Sequence, residues 1–539
     1  MPLSILIWWP LAFALVGALA GSRWGPRVVL GGSLITLGLA VYYLFAFNPH
    51  HGGQLQFVTD EVWIAVLGIH YKLGLDGLNL FLVALAALLF AAGIAAANLR
   101  EWERPRLFYA QFALAESAVL GAFCAQDLAL FVVFFDLMLI PFYFLIGAWG
   151  GGPNRVRATT KLVIYTLVGS LLMQAGAIAT GVLAGGQTHI TFVLSELQQV
   201  PLSKGSQELI FLFFAAAFLV KMPAFPLHGW MPDGYRAMPL PVLAVFSGVL
   251  SKVAAYGFLR IVLPIYPDAA AHFQTLLLLI GLASILYGSI MAFTVTDARL
   301  VVGYSSVAQL GFITLGIFAL NPQGAQGALL QMVNHGLVTA ALFFIIAVLA
   351  RRAGGSEDIR DMGGIAFRAP VLAALFLIVA LATLAMPGSA NFVGEFYILL
   401  GVFNSKLAIA IIAFTGVVLA SLYVLRLLIR TMHNRVGPRV ESREISLRDG
   451  AIVAPLVLVI LALAVYPQLP LGRSQAAARA SVKTAQAVAH PPARPGLVGP
   501  PTQQGAPQGT LPPEQQAPPP GQSGAAPQGQ TGGQVQVQP

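Results

Sequence analysis

Six ionisable side chains sit inside stretches of sequence that are otherwise apolar. Asp136 lies in Phe131-Val-Val-Phe-Phe-Asp-Leu-Met-Leu-Ile-Pro141, Glu116 in Leu114-Ala-Glu-Ser-Ala118, and Lys221 just before Met222-Pro223. Lys252 lies in Gly248-Val-Leu-Ser-Lys-Val-Ala254, His335 in Met332-Val-Asn-His-Gly336, and Glu395 in Asn391-Phe-Val-Gly-Glu-Phe396. An ionisable group in hydrocarbon costs about 2.5–3.5 kcal/mol on insertion scales, so it marks an ion or proton path by default. The mixture of acids, lysines and a histidine suits proton passage. A lysine in water holds its proton too tightly to pass it on; burial weakens that hold and a nearby carboxylate restores it. An acid that moves toward or away from a lysine therefore switches it between holding and releasing. Asp136 and Lys221 are the candidates for that switch, Lys252 and His335 for a lateral relay through bound water, and Glu395 for the exit. Glu116 reads equally as a paired charge near a span end, and His335 as an interhelical hydrogen bonder.

Prolines stand beside two of these groups. Pro223 and Pro226 follow Lys221, and Pro387-Gly388 precedes Glu395. Proline removes an amide donor and clashes with an upstream carbonyl, which opens a helix. Freed carbonyls are tolerated at membrane depth only against protein or water. The spacing therefore predicts hydrated breaks beside Lys221 and Glu395.

The elements that hold these groups are read as membrane helices. Of 539 residues, 57% are hydrophobic and 9% charged, and mean hydropathy is +0.79, whereas a soluble domain carries about 25% charged residues. Without clean alternation the spans are helical, because only helices and closed barrels satisfy their backbone in lipid. The net charge of +9 is mostly loop arginine and does not point to nucleic acid. The single cysteine, Cys124, leaves room for neither a disulfide framework nor a cysteine-ligated iron–sulfur cluster. No Gly-rich nucleotide fingerprint stands out and no HExxH motif occurs. The first apolar run follows no basic region and reads as a first span.

At about 20 apolar residues per crossing, about fourteen spans are expected: 3–21, 28–47, 75–98, 107–124, 127–148, 161–184, 208–227, 239–264, 273–294, 298–319, 326–350, 370–400, 406–429 and 450–470. The twelfth is too long for one straight helix and is read as two halves about Pro387-Gly388. Arg and Lys crowd the odd-numbered loops, from Arg23 and Arg27 to Arg443 and Arg448, while the even loops hold little more than Lys72, Lys204 and Lys406. That asymmetry places odd loops in the cytoplasm and both termini outside. His228 and Asp233 are read as loop or cap residues, Arg260 as snorkelling to the outer face, and Trp8, Trp9, Trp63 and Tyr42 as interfacial aromatics.

A weak repeat is visible. Val220-Lys-Met-Pro223 resembles Leu384-Ala-Met-Pro387, at nearly the spacing that separates the starts of spans four and nine. Five helices intervene, so the copies would be inverted, as in transporters whose broken helices mark the conduction site. The expected architecture is all-α integral membrane: helices 1–3 in residues 1–106, a five-helix unit in 107–264, an inverted second unit in 273–432 and a last helix in 450–471. The Pro/Gln/Gly-rich tail, 472–539, is expected to be disordered, with no long amphipathic helix after span fourteen.

Three segments carry a family resemblance. Ala217-Phe-Leu-Val-Lys-Met-Pro-Ala-Phe-Pro-Leu-His-Gly-Trp-Met-Pro-Asp233, Phe134-Phe-Asp-Leu-Met-Leu-Ile-Pro141 and Tyr304-Ser-Ser-Val-Ala-Gln-Leu-Gly-Phe312 resemble the antiporter-like subunits of respiratory complex I and of Mrp-type cation/proton antiporters. The resemblance covers roughly residues 60 to 470. Glu395 stands where other branches usually place a lysine, which is similar to the subunit M class. The resemblance implies a proton-translocating subunit of NADH:quinone oxidoreductase in a bacterial plasma membrane, with Lys221, Lys252 and Glu395 at key charged positions. It implies other complex I membrane subunits as partners. NADH, FMN, iron–sulfur clusters and quinone would lie elsewhere in the complex, and no cofactor, metal or redox site in this chain. An Mrp-type antiporter subunit is the alternative. Two departures stand out: the span-five acid, usually Glu, is Asp136, and Gln309 occupies a position where some members carry a titratable His.

Overall fold

Apolar runs closed by capping side chains set the helices of this chain. Its computed structural model describes residues 2–185, 190–437 and 439–491. α1 (Leu3–Leu19) and α2 (Gly21–Ala46) form an opening helical pair. A hairpin follows, β1 (Gln56–Ile64) against β2 (Ile69–Leu75), antiparallel, with Asp60 opposite Lys72 and Val62 opposite His70. Gly68 turns the chain at a left-handed φ of 61°, which glycine adopts without a Cβ penalty. The all-α expectation is corrected here. The segment before span three is rich in β-branched and aromatic residues, which favour a pleated, half-buried surface, and the third helix starts at Leu80 rather than 75.

α3 (Leu80–Ala97) and α4 (Pro105–Cys124) come next, followed by α5 (Leu128–Leu137), α6 (Leu139–Trp149), α7 (Arg155–Gly185) and the one-turn α8 (Leu194–Leu197). Asp127 starts α5 by accepting from the Leu130 amide at 3.0 Å, and Pro105 sits in the first turn of α4, where its missing donor goes unmissed. The fifth span is itself interrupted, at Met138 between α5 and α6, a break not expected from sequence.

α9 (Lys204–Lys221) ends at the Pro223 break, and the chain resumes in α10 (Met231–Ala237). The eighth span is one continuous helical rod made of α11 (Leu240–Val245), a π-turn at Phe246–Leu250, α12 (Ser251–Gly257), a second π-turn at Phe258–Val262 and α13 (Leu263–Ile265). After the short α14 (Pro267–His272) come α15 (Gln274–Thr294), α16 (Ala298–Phe318) and α17 (Pro322–Arg352). Asp297 and Asn321 cap α16 and α17 from their side chains, the pairing that satisfies first-turn amides. The long twelfth span is split, as expected, into α18 (Pro370–Thr383) and α19 (Ala390–Ser405). α20 (Leu407–Leu428) and α21 (Leu447–Val465) follow.

One more helix, α22 (Gln468–Ala489), overturns the expectation of a disordered tail from 472 and of no long helix after span fourteen. Its alanines favour helix, and Ser474, Ala477, Ala478, Ser481, Val482 and Ala485 bury one face of it at helical spacing. The rest of the expected tail, 492–539, lies outside the described residues.

Eleven helical segments among the described residues are long and apolar enough to cross a membrane; α1 and α18 are shorter apolar helices. The Leu240–Ile265 rod and α16 are wholly enclosed by protein and α17 nearly so, whereas α2, α20 and α21 keep most of their surface open. The enclosed helices are the ones that carry Lys252, Gln309, Gln331 and His335.

Loops of one parity meet only their own kind in these contacts. Arg236 pairs with Asp297, Arg299 with Glu357 at 2.5 Å and Arg351 with Asp449, joining loops seven, nine, eleven and thirteen. Arg299 also donates to the carbonyls of Tyr235, Arg236 and Met238. Even loops join at the opposite ends of the helices: Leu73 bridges Ala125, Asp127 bridges Val193, and Gln207 bonds Asp268 at 3.0 Å.

Candidate functional site

The break after Lys221 is chemically closed on itself. Pro223 cannot donate to the Leu219 carbonyl, and the Ala224 amide takes that carbonyl at 3.0 Å. The Val220 carbonyl accepts from Trp230 Nε1 at 3.0 Å. The chain thus leaves the helix without stranding these acceptors, as hydrocarbon demands. Lys221 is 6% exposed. Its Nζ donates to the Phe135 carbonyl at 3.2 Å and lies over the Phe135 ring, 4.2 Å from the centroid.

Asp136 and Lys221 are brought into one neighbourhood but make no ion pair. Lys221 and Ser170 both lie near enough to act on the Asp136 carboxyl, yet Oδ1 is buried without a hydrogen-bond partner. The lysine has instead bonded the backbone one residue earlier. An acid one methylene longer would reach further along the same line.

Lys252 is fully buried, and its Nζ donates to the Ser247 carbonyl at 2.8 Å. That carbonyl lies in the first π-turn, the kind of local widening found at functional sites in helices. A carbonyl oxygen accepts a hydrogen from either the ammonium or the neutral amine, so this contact does not lock the proton in place as a carboxylate would. His335 of α17 lies within electrostatic range of Lys252. It is 2% exposed, and neither of its ring nitrogens has a partner.

Gln331 is four residues before His335 on the same face of α17. Its Nε2 donates to Gln309 Oε1 at 2.6 Å and to Glu395 Oε1 at 3.2 Å. Glu395 is 3% exposed. Nearby, Ser305 donates to the Tyr423 hydroxyl at 2.9 Å. Gln331, Tyr423 and Ser305 were not singled out from sequence; only the four-residue step from His335 hinted at Gln331. Buried polar atoms without partners cluster here: Gln309 Nε2, Gln331 Oε1 and both amide atoms of Asn391. Polar groups in that state call for a hydrogen-bonding guest such as water.

Pro387 and Gly388 lie in the break between α18 and α19, with Gly388 at φ 91°, and α19 carries Glu395 in its second turn. Pro226 lies in the first break, and beside it His228 packs on Phe225 and Tyr287 with ring centroids at 5.7 and 4.7 Å. Asp233 lies at a surface, paired with Lys161 at 2.7 Å, as read from sequence, whereas His228 lies outside a helix as read but is buried, with its Nδ1 unpartnered. Glu116 is apart from the row: it is fully buried in α4 and accepts from Ser33 of α2 at 2.9 Å.

Arg260 does not snorkel. It donates to Asp76 at 2.5 Å and to the Tyr256 hydroxyl at 3.0 Å, and both ions are nearly buried. A counter-ion within reach makes the interior a better place for its guanidinium than a stretch toward water. No cluster of three or more His, Cys, Asp or Glu side chains able to hold a metal occurs among the described residues.

A broken-helix membrane bundle with a row of buried lysines, amides and carboxylates defines an ion-translocating class of protein. Residues 125–420 match the family "NADH:quinone oxidoreductase/Mrp antiporter, TM", and the chain belongs to that family. It is 36% identical to NADH-quinone oxidoreductase subunit M of Rhodobacter capsulatus over 87% of this chain and 93% of the relative. Among solved structures it is similar to a chain of respiratory complex I from Thermus thermophilus, with TM-score 0.81, 31% identity, and coverage of 90% of this chain and 98% of that one. A chain of the Mrp complex from Dietzia, at 22% identity and TM-score 0.77 over 90% of this chain and 99% of that one, shares the fold.

Proposed function

We propose that this chain is a proton-translocating membrane subunit of an NADH:quinone oxidoreductase, of the subunit M class. What supports the reading is the burial of Lys221, Lys252, His335 and Glu395, with His335 in electrostatic range of Lys252 and the Gln331–Gln309 pair bonded to Glu395. Redox chemistry belongs to other subunits in this reading, and this chain supplies the proton path. Asp136 sets the charge beside Lys221. Lys252, held only by a carbonyl, takes and gives a proton at Nζ. His335 and water held by the unpartnered amides pass it on, and Glu395 releases it. Glu116 is assigned to the packing of α2 on α4.

The same reading gives fourteen crossings, by counting α1, the α9 break and the α18–α19 pair beside the eleven long apolar helices. It places 107–264 and 273–432 as two inverted units, supported by the breaks at Pro223 and Pro387. The arginine-rich odd loops face the cytoplasm, the even loops and both termini the outside, in a bacterial plasma membrane. Neighbouring antiporter-like subunits are the partners. The antiporter alternative is less favoured, because the subunit M relative is far more similar than the Mrp chain.

The test is NADH-driven acidification of inverted membrane vesicles with Glu395→Gln. Loss of a positioned proton carrier is worth roughly 10²–10⁴-fold in rate. Quinone reduction and acidification are expected to fall together while the assembled complex persists. Unchanged coupling, with cation-driven proton exchange lost instead, would move the chain to the antiporter class.

A further inference from the structure

Lys252 has unlike surroundings toward the two ends of its span. On the odd-loop side its Nζ donates to the Ser247 carbonyl at 2.8 Å, and Ser247 Oγ accepts from the Tyr235 hydroxyl at 3.2 Å. Hydroxyls both accept and donate, so they take a hydrogen on one side and give one on the other. On the even-loop side, Tyr256 follows four residues after Lys252 within α12, which puts the two on one helix face. Tyr256 is fully buried, and its hydroxyl oxygen accepts from Arg260 Nε at 3.0 Å. Arg260, in the second π-turn, donates onward through Nη2 to Asp76 at 2.5 Å. The Arg260 and Asp76 side chains are 11% and 5% exposed, so the pair stands between the buried lysine and the even-loop end, where α22 packs against α13 and the second π-turn. Asp76 is itself fixed. Its Oδ1 also accepts from the Leu78 amide at 2.9 Å, its own amide donates to Asn79 Oδ1 at 2.8 Å, and Asn79 Nδ2 donates to the Phe123 carbonyl at 2.8 Å.

We propose that Arg260, held by Asp76 and Tyr256, is a proton barrier: it stops a proton on Lys252 from leaving straight through the even-loop end and leaves the lateral route to His335 as the way onward. The inference rests on the proton path proposed above. A proton wire needs each member to accept a hydrogen on one side and donate one on the other. A guanidinium has donors only, and it does not deprotonate in proteins. Tyr256 therefore meets, on its outward side, a group that cannot take its proton, and it makes no hydrogen bond to Asp76 among the described residues. An arginine fixed in a narrow passage also acts as an electrostatic barrier to protons. Asp76 keeps the guanidinium in place from the outer side and offsets its charge, so the wire is cut between Tyr256 and Arg260.

The experiment uses the assembled complex in liposomes without NADH. A potassium gradient with valinomycin drives protons inward, and a trapped pH dye reports the rate. The wild type is expected to be tight. Arg260→His puts in a ring that accepts at one nitrogen and donates from the other. It should raise the leak about tenfold or more, the effect of about 1.4 kcal/mol off the barrier. Adding Tyr256→Phe removes the inward hydroxyl and should return the leak to the wild-type rate. Asp76→Leu together with Arg260→Met, whose side chains carry no proton, should stay tight. If Arg260→His does not assemble, Asp76→Asn with Arg260→His, which leaves no lone carboxylate, takes its place. An assembled histidine variant as tight as the wild type overturns the proposal, and so does a leaky wild type. A leak that survives Tyr256→Phe, or an equal leak in the Leu/Met variant, also overturns it and means loosened packing. The Glu395→Gln test reads the proton path separately, so a tight histidine variant beside a Glu395-dependent wild type removes the barrier and leaves the path standing.

Discussion

Lys221 bonds a carbonyl where its sequence neighbours suggested a carboxylate, and the reason is reach. Asp136 is one methylene shorter than a glutamate, and its Oδ1 is buried unpaired. Asp136→Glu is therefore expected to form the ion pair directly and to keep or improve NADH-driven proton transport in vesicles; a loss as large as that of Asp136→Ala would mean the short acid is itself required. A second residue-scale expectation concerns Asp76 and Arg260. Breaking a buried pair by removing one partner costs about 3–5 kcal/mol, because the other charge is left behind. Asp76→Asn should thus lower the denaturation midpoint of the purified chain in micelles, while replacing both residues with similarly shaped apolar ones recovers most of the loss; equal loss in the double variant would show that the pair's charge is not what matters. The burial of Lys221, Lys252 and Glu395 was legible because charge in an apolar run is rare. The Asp76 contact was not, since its two residues are 184 apart and nothing local links them.

At the scale of elements, the two π-turns and α17 explain how a lysine and a histidine from different helices come within range of each other. α17 crosses the eighth span with backbone nearly on backbone: a Cβ at Gly336 would stand 2.7 Å from the Gly248 carbonyl oxygen and 2.7 Å from Leu85. Small residues permit such close approach between membrane helices. Gly336 is next to His335, and Gly248 is one turn before Lys252. Gly336→Ala should push the helices apart at a cost of about 1–3 kcal/mol and slow proton translocation while the complex still assembles; transport at the wild-type rate would show that the spacing is not critical. The breaks at Pro223 and Pro387 could be read in advance because proline acts on its own helix. The break at Met138 was not read in advance, although Pro141, three residues on, lacks the amide that would bond the Leu137 carbonyl where α5 ends. The hairpin was missed for another reason: Gln56–Leu75 lies between spans, where a search for long apolar runs has nothing to measure, and its pairing is stabilised by cross-strand contacts such as Asp60 with Lys72 at 2.6 Å that composition does not display.

For the whole molecule, the informative boundary is where the fold ends along the chain. Composition shifts toward alanine, glutamine and proline after Val465, which made 472 look like the start of a tail. Yet α22 packs Ala477, Ala478, Val482 and Ala485 fully or almost fully out of solvent, against α13, α14 and α17, and Ser474 holds Gln326. Burying Val482 alone is worth about 2 kcal/mol, and removing the helix would expose the facing surface of α17, the helix that carries Gln331 and His335. A stop codon after Pro491 should leave membrane insertion, assembly and NADH-driven acidification at wild-type levels. A stop after Pro467 should lower the amount of assembled complex on native gels, and what does assemble should transport protons poorly because α17 has lost its outer support. Equal behaviour of the two truncations would mean that α22 covers the bundle without stabilising it. Failure of the longer one would mean that residues beyond 491 dock the chain to a partner.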